Sequence, residues 1–163
     1  MCEEHSPYSP SHQSRVKGEL PYRRMDISTI ERVISECSQF GLKEIIPSTM
    51  GEPLIFKHMP RIIELCHEYD VKLNLTTNGT FPRLGAERWA RLIVPIGSDV
   101  KLSWNGANQI AQSLVMINND FEKNMDDLRT FIRIRDEHAD LGGNYCSVTC
   151  LLYTSPSPRD LRK

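Results

Sequence analysis

The stretch "VKLNLTTNGT", residues 71–80, decides how the chain is read. Val71, Leu73 and Leu75 alternate with Lys72, Asn74 and Thr76, the period of a β-strand, and the run stops at Asn78-Gly79, a turn signal. Before it, "FKHMPRIIELCHEYD" (56–70) carries Ile62, Ile63, Leu65, Cys66 and Tyr69 at helical spacing. After it, "AERWARLIVP" (86–95) is a helix ended near Pro95. Further out the pattern repeats. "DISTIERVISECSQFG" predicts a helix over 27–40, with capping candidates Asp26 and Ser28, apolar residues at Ile30, Val33, Ile34 and Cys37, and Gly41 as its stop. "KEIIPS" (43–48) reads as a short buried strand, "DVKLSWNG" (99–106) as a strand stopping at Asn-Gly, and "YCSVTCLL" (145–152) as a further strand. A polar loop or short helix follows residue 106. The segment 121–140 is a helix with Phe121, Met125, Leu128, Phe131, Ile132 and Ile134 inward, closed by Gly142-Gly143. Residues 3–24 are polar, hold three prolines and show no period, so they read as a loop.

Helix and strand alternate with short connections and no hairpin signal. That order predicts an α/β fold with a parallel sheet covered by helices, half to three quarters of a TIM-type (β/α) barrel. An open doubly wound sheet shares the same periodicity. In either, chemistry belongs at the C-terminal ends of the strands.

The 163 residues are 39% hydrophobic and 25% charged with a net charge of −1, which suits one domain with a real core. Such a balance makes no case for nucleic acid as a partner, and no apolar run approaches the ~18–20 residues of a membrane span. "MCEEHSPYSP" is acidic and polar, unlike a signal peptide. Five cysteines form an odd set without framework spacing, so a reducing cytoplasm is expected. Cys37 and Cys66 fall on apolar helix faces and read as buried small hydrophobes. Cys146 and Cys150, four apart in a strand, lie ~13 Å apart at ~3.3 Å per residue, too far for a disulfide. His5 and His12 with Cys2 match no structural zinc spacing. Trp89 reads as core, Trp104 as a rim residue facing substrate, and the charges of "RIRDEHAD" (133–140) as a solvated helix face.

Polar sets stand at three strand ends: "STMGEP" (48–53), "TTNGT" (76–80) and "SWNG" (103–106). A turn has use for Gly51 or Pro53 but none for Glu52. A parallel sheet brings these ends to one rim, where Glu52, Thr77, Asn78, Ser103 and Asn105 would meet a ligand bearing an ammonium, a carboxylate and hydroxyls. Asn-Gly after a strand is also an ordinary turn, so it is the coincidence of three sets that carries weight.

"GEPL" (51–54), "LTTNGT" (75–80) and "SWNG" (103–106) resemble the radical S-adenosylmethionine (SAM) enzymes, and "MC" at the start resembles the tail of their CxxxCxxC motif. The resemblance covers roughly residues 1–149. It implies that Cys2 is one of three thiolates on a 4Fe–4S cluster whose fourth iron is chelated by the amino and carboxylate groups of SAM. An electron, from a donor such as a flavodoxin or ferredoxin, cleaves SAM to a 5′-deoxyadenosyl radical that abstracts hydrogen from a substrate, a peptide or protein among the classes. By the same resemblance Met50, Gly51, Glu52 and Pro53 receive the SAM ammonium at the family's "GGE" element. Thr77, Asn78, Ser103 and Asn105 attend SAM, the last three toward its ribose and carboxylate. His5 and Tyr8 pack over the cluster or SAM.

The chain departs from the family at Met50, where relatives carry glycine, and at Asn105, where many carry Asp. Cys2 alone of the cluster cysteines is present, and one thiolate cannot hold the cluster. Residues 1–150 are therefore expected to be a core domain truncated inside its cluster loop, first strand missing and inactive alone. Residues 151–163, "LLYTSPSPRDLRK", resemble an adapter-derived tail. The reading from another class is a non-redox α/β module binding a phosphorylated metabolite at its strand ends, although no glycine-rich loop opens a helix here. If the tail is foreign to the fold, deleting 154–163 leaves thermal unfolding unchanged. A loss beyond ~2 kcal/mol, the scale of one buried large side chain, would show that it belongs.

Overall fold

The computed structural model describes residues 8–20, 24–47, 51–104, 106, 108–113 and 120–152, with backbone only at 151 and 152. In chain order the elements are α1 (Pro10–Val16), α2 (Ile27–Gln39), β1 (Glu44–Ile45), a 3-10 turn (Pro53–Ile55), α3 (Met59–Glu68), β2 (Lys72–Thr77), α4 (Gly85–Ile93), β3 (Gly97–Trp104), α5 (Gln109–Ser113), α6 (Phe121–Asp140) and β4 (Ser147–Leu152). The four strands form one sheet in the order β1-β2-β3-β4, every pair parallel. Sheet order equals chain order, so each crossover advances in the same direction. A doubly wound sheet would reverse at a switch point; this winding is that of a (β/α) barrel arc.

Period two sorts the side chains. Leu73, Leu75, Val100, Leu102 and Trp104 are buried against the helices, while Lys72, Asn74, Thr76, Lys101 and Ser103 are half-buried on the opposite face. The helices pack in sequence order, α2 on α3, α3 on α4 and α4 on α6. Trp89 is core as expected; its Nε1–H donates to the Pro82 carbonyl at 2.7 Å. Cys66 is fully buried, and burial pushes its thiol up to about 11.

Four expectations need correction. Residues 10–16 are helical rather than loop, because Ser9 caps the helix through His12 N–H and Pro10 occupies its first turn, where a missing N–H costs nothing. β1 pairs over two residues only and Ile46 is 60% exposed, since β1 is the sheet edge. Cys37 is exposed: among the described residues α2 has a helix on one flank only, so it buries Ile34 and leans on Ile27 and Ile30 but leaves Val33 and Cys37 outward. Trp104, read as a rim residue, turns toward the helices. It shares the helix-facing parity of Leu102, is 6% exposed, and meets the Phe121 ring edge-on at 5.6 Å. The last strand reaches Leu152 as the sequence reading has it, the Leu152 backbone pairing with Trp104.

Leu75, fully buried in β2, and Phe40, 90% exposed after α2, make a paired test of this core. Leu75→Ala is expected to cost ~2–5 kcal/mol and Phe40→Ala within ~0.5 kcal/mol of zero, both read from urea unfolding.

Candidate functional site

The carboxylate at the centre of "MGEPL" ties two loops together. Glu52 caps the 3-10 turn, its Oε1 accepting the Leu54 N–H at 3.0 Å, with Pro53 fixing the first position of that turn. The same oxygen accepts the Thr77 hydroxyl at 2.9 Å, and Oε2 accepts the Asn78 N–H at 2.7 Å. Beyond β2 the loop knits itself: Asn78 Oδ1 accepts the Thr80 N–H at 3.0 Å and its hydroxyl at 2.7 Å, an Asx turn. Thr77 Oγ in turn accepts the Gly79 N–H at 3.3 Å. Glu52 thus meets three neutral donors and no cation among the described residues.

The predicted residues divide by face. Thr77 pairs with Leu102 and is buried with its hydroxyl engaged, so it positions Glu52 from below the rim. Carried one residue further, that register sets Asn78 beside Ser103 on the opposite, half-open face. Gly51 has φ +77°, a left-handed conformation, and a Cβ there would meet no atom within 4 Å, so the space beside the turn is open. Pro53 is buried. Cys2, His5, Met50 and Asn105 lie outside the described residues, and Tyr8 is 89% exposed. Among the described residues no group of three or more His, Cys, Asp and Glu stands ready to hold a metal. No described helix is long and apolar enough to cross a membrane.

One residue carried no signal in the sequence. Gln112 sits on α5, next to Gly106, where a Cβ would come within 2.5 Å of the Gln112 nitrogen. Gln112 is 2% exposed, and its Oε1 is buried without a hydrogen-bond partner among the described residues. A glutamine in a polar stretch gives no hint of this; only the close approach of α5 to the end of β3 buries it.

Burial raises the Glu52 carboxyl above its ordinary 4.5, against the lowering effect of the Asn78 and Leu54 amides and the Thr77 hydroxyl. A folded value above the unfolded one means the folded state binds the proton more readily. The stability from this group is fully present below the unfolded value and is lost as pH rises through the folded one. Glu52→Gln removes that slope and sets an amide donor against the Asn78 N–H, costing ~1–3 kcal/mol. The stability gap between wild type and variant should therefore narrow from pH 4.5 to pH 7 in urea unfolding, while remaining positive.

No family model matches the chain. Over 58 residues it is 43% identical to a protein from Pyrococcus abyssi named probable GTP 3',8-cyclase, a match covering 36% of this chain and 19% of that protein. Over 73 residues it is 40% identical to the probable GTP 3',8-cyclase of Pyrococcus horikoshii, covering 44% of this chain and 23% of the relative. The matches thus span 19% and 23% of the length of these curated relatives. Both likenesses support, at the level of the superfamily and for the part they cover, the radical SAM resemblance and with it an enzyme.

Proposed function

We propose that this chain supplies part of the SAM-holding rim of a radical SAM enzyme. One observation carries the reading: a half-buried carboxylate is held at the strand ends by three neutral donors, with a lone pair of Oε2 left over. That acceptor fits an ammonium. Open space beside Gly51 fits the approach of a ligand to the backbone. Glu52 receives the ammonium of SAM, Met50 and Gly51 give their backbone to it, and Thr77 with Pro53 holds Glu52 in place. Asn78, Ser103 and Asn105 face the ribose and carboxylate. Cys2 is the ligand of one iron of a 4Fe–4S cluster, thiolate being the donor such clusters take. Bound together and reduced by a flavodoxin- or ferredoxin-like donor, these groups supply a 5′-deoxyadenosyl radical for hydrogen abstraction.

Cys37, Cys66, Cys146 and Cys150 are all free, which supports a reducing, cytoplasmic setting. The names of the two relatives direct the first substrate test to GTP, with peptides second. A phosphate in direct contact with Glu52 is disfavoured, because it would set negative charge against the carboxylate.

The test uses the complete enzyme, reconstituted without oxygen and assayed for 5′-deoxyadenosine. Its formation is expected, and its absence with a full cluster would overturn the reading. Glu52→Gln should weaken SAM binding ~10–100-fold, the loss of a charge-assisted hydrogen bond of ~1.5–3 kcal/mol, with iron content unchanged. Cys2→Ala should lose the cluster and all SAM cleavage. An unaltered SAM affinity in Glu52→Gln would remove the charge role and leave the backbone as the contact.

A further inference from the structure

We infer a second ligand site on the outer side of the 3-10 turn, a cleft of ≈520 Å³ built to take a small phosphorylated organic molecule. Its walls come from three places in the chain: residues 24–27 entering α2, residues 55–58 entering α3, and Arg83 from the loop after β2. Such a volume lies within the ~300–1,000 Å³ of small-molecule sites.

Charge sets the ligand class. Arg24, Lys57, Arg83 and His58 line the cleft against one carboxylate, Asp26. Asp26 is engaged in starting α2, its Oδ1 accepting both the N–H and the hydroxyl of Ser28 at 2.8 Å. Those two bonds hold its carboxyl below the ordinary value, and the charges of His58 and Lys57 add to the effect. Among the described residues Arg24 and Lys57 stand in no ion pair, as Lys17, Arg32, Lys43, Lys72 and Arg88 also do not; what sets Arg24 and Lys57 apart is that they line one cleft with Arg83. Three basic side chains thus share the cleft with a single carboxylate, and an anion bound there would balance the excess positive charge. Guanidinium forks and an ammonium match the acceptor oxygens of a phosphate.

Two further features shape the cleft. Arg83 holds φ +72°, unusual for a residue with a side chain, and its Nη1–H donates to the Ile55 carbonyl at 3.4 Å, anchoring the guanidinium across the mouth. The half-buried Phe56 ring, braced edge-on against His58 at 5.4 Å, and Ile27 give an apolar wall for the organic body of the ligand. A bare metal cation finds no ligand set here. The site stands on these side chains alone and does not rest on the radical SAM reading.

Calorimetric titration of the whole chain tests it with three probes: adenosine diphosphate, inorganic pyrophosphate and adenosine. Saturable binding is expected for the first, weaker binding for the second and none for the third. Arg24→Gln with Lys57→Gln should weaken adenosine diphosphate roughly tenfold or more. Lys123→Gln with Arg129→Gln, an equal loss of charge on α6, should leave it unchanged. Unfolding midpoints of both double variants show that they are folded, and Arg83→Lys, which keeps the charge but not the fork, should weaken binding independently. Equal losses in the two double variants, equal binding of adenosine, or no saturable binding would overturn the site. So would a poly-glutamate peptide binding where adenosine diphosphate does not, which would make the cleft a docking face for an acidic polypeptide.

Discussion

The rim of this sheet depends on one carboxylate that meets no cation among the described residues. Glu52 and Thr77 are 25 residues apart in the chain, and the bonds between Glu52 and the Thr77–Asn78 segment join the loop after β1 to the end of β2. A cation in that place would neutralise the charge. Neutral donors orient it instead, leaving the negative potential intact at the strand ends and the carboxyl easier to protonate than in water. The tie also sets the Pro53–Ile55 turn, and through it the entry into α3.

That turn separates two opposite electrostatic settings. On the β2 side is the Glu52 carboxylate; on the outer side are Arg24, Lys57 and Arg83. The half-open face of the sheet is polar in a third way, and already satisfied. Asn74 bonds Glu44, Lys101 bonds Asn74 and Asp99, and Thr149 bonds Asp99, a ladder running across all four strands. In this ladder Lys101 pairs with Asp99, while Glu44 is held by the neutral donors Asn74 and Ser98. On either side of the Pro53–Ile55 turn, loops rather than strands set the geometry of the charged groups.

The loop from β2 to α4 carries the strain. Phe81 and Arg83 both have positive φ, a conformation costly for bulky side chains. Phe81 is held there by burial and by stacking on Phe131 at 5.5 Å, and the carbonyl of Pro82 by the Trp89 indole. Packing beneath the loop over-determines its backbone, so the Arg83 side chain is placed from the core outward.

The sequence by itself determined the alternation of helix and strand from α2 onward and the parallel sheet, but not α1. Alternation in 71–77 and 3.6-residue spacing in 56–70 and 121–140 are local patterns, and each forces one face inward whatever its neighbours do. It also singled out Glu52, although the carboxylate serves the turn as well, capping it at Leu54, a role that the sequence reading denied it. Tertiary structure decided what depends on neighbours far along the chain. Cys37 lies outward because α2 stands at the edge of the helix layer, and Trp104 inward because register with β2 and β4 fixes its parity. Gln112 is buried only because α5 closes on Gly106. The bonding partners of Glu52 and the gathering of Arg24, Lys57 and Arg83 in one cleft arise the same way. Periodicity fixes the face a residue presents, but what waits at that face is set by contacts that no local spacing encodes.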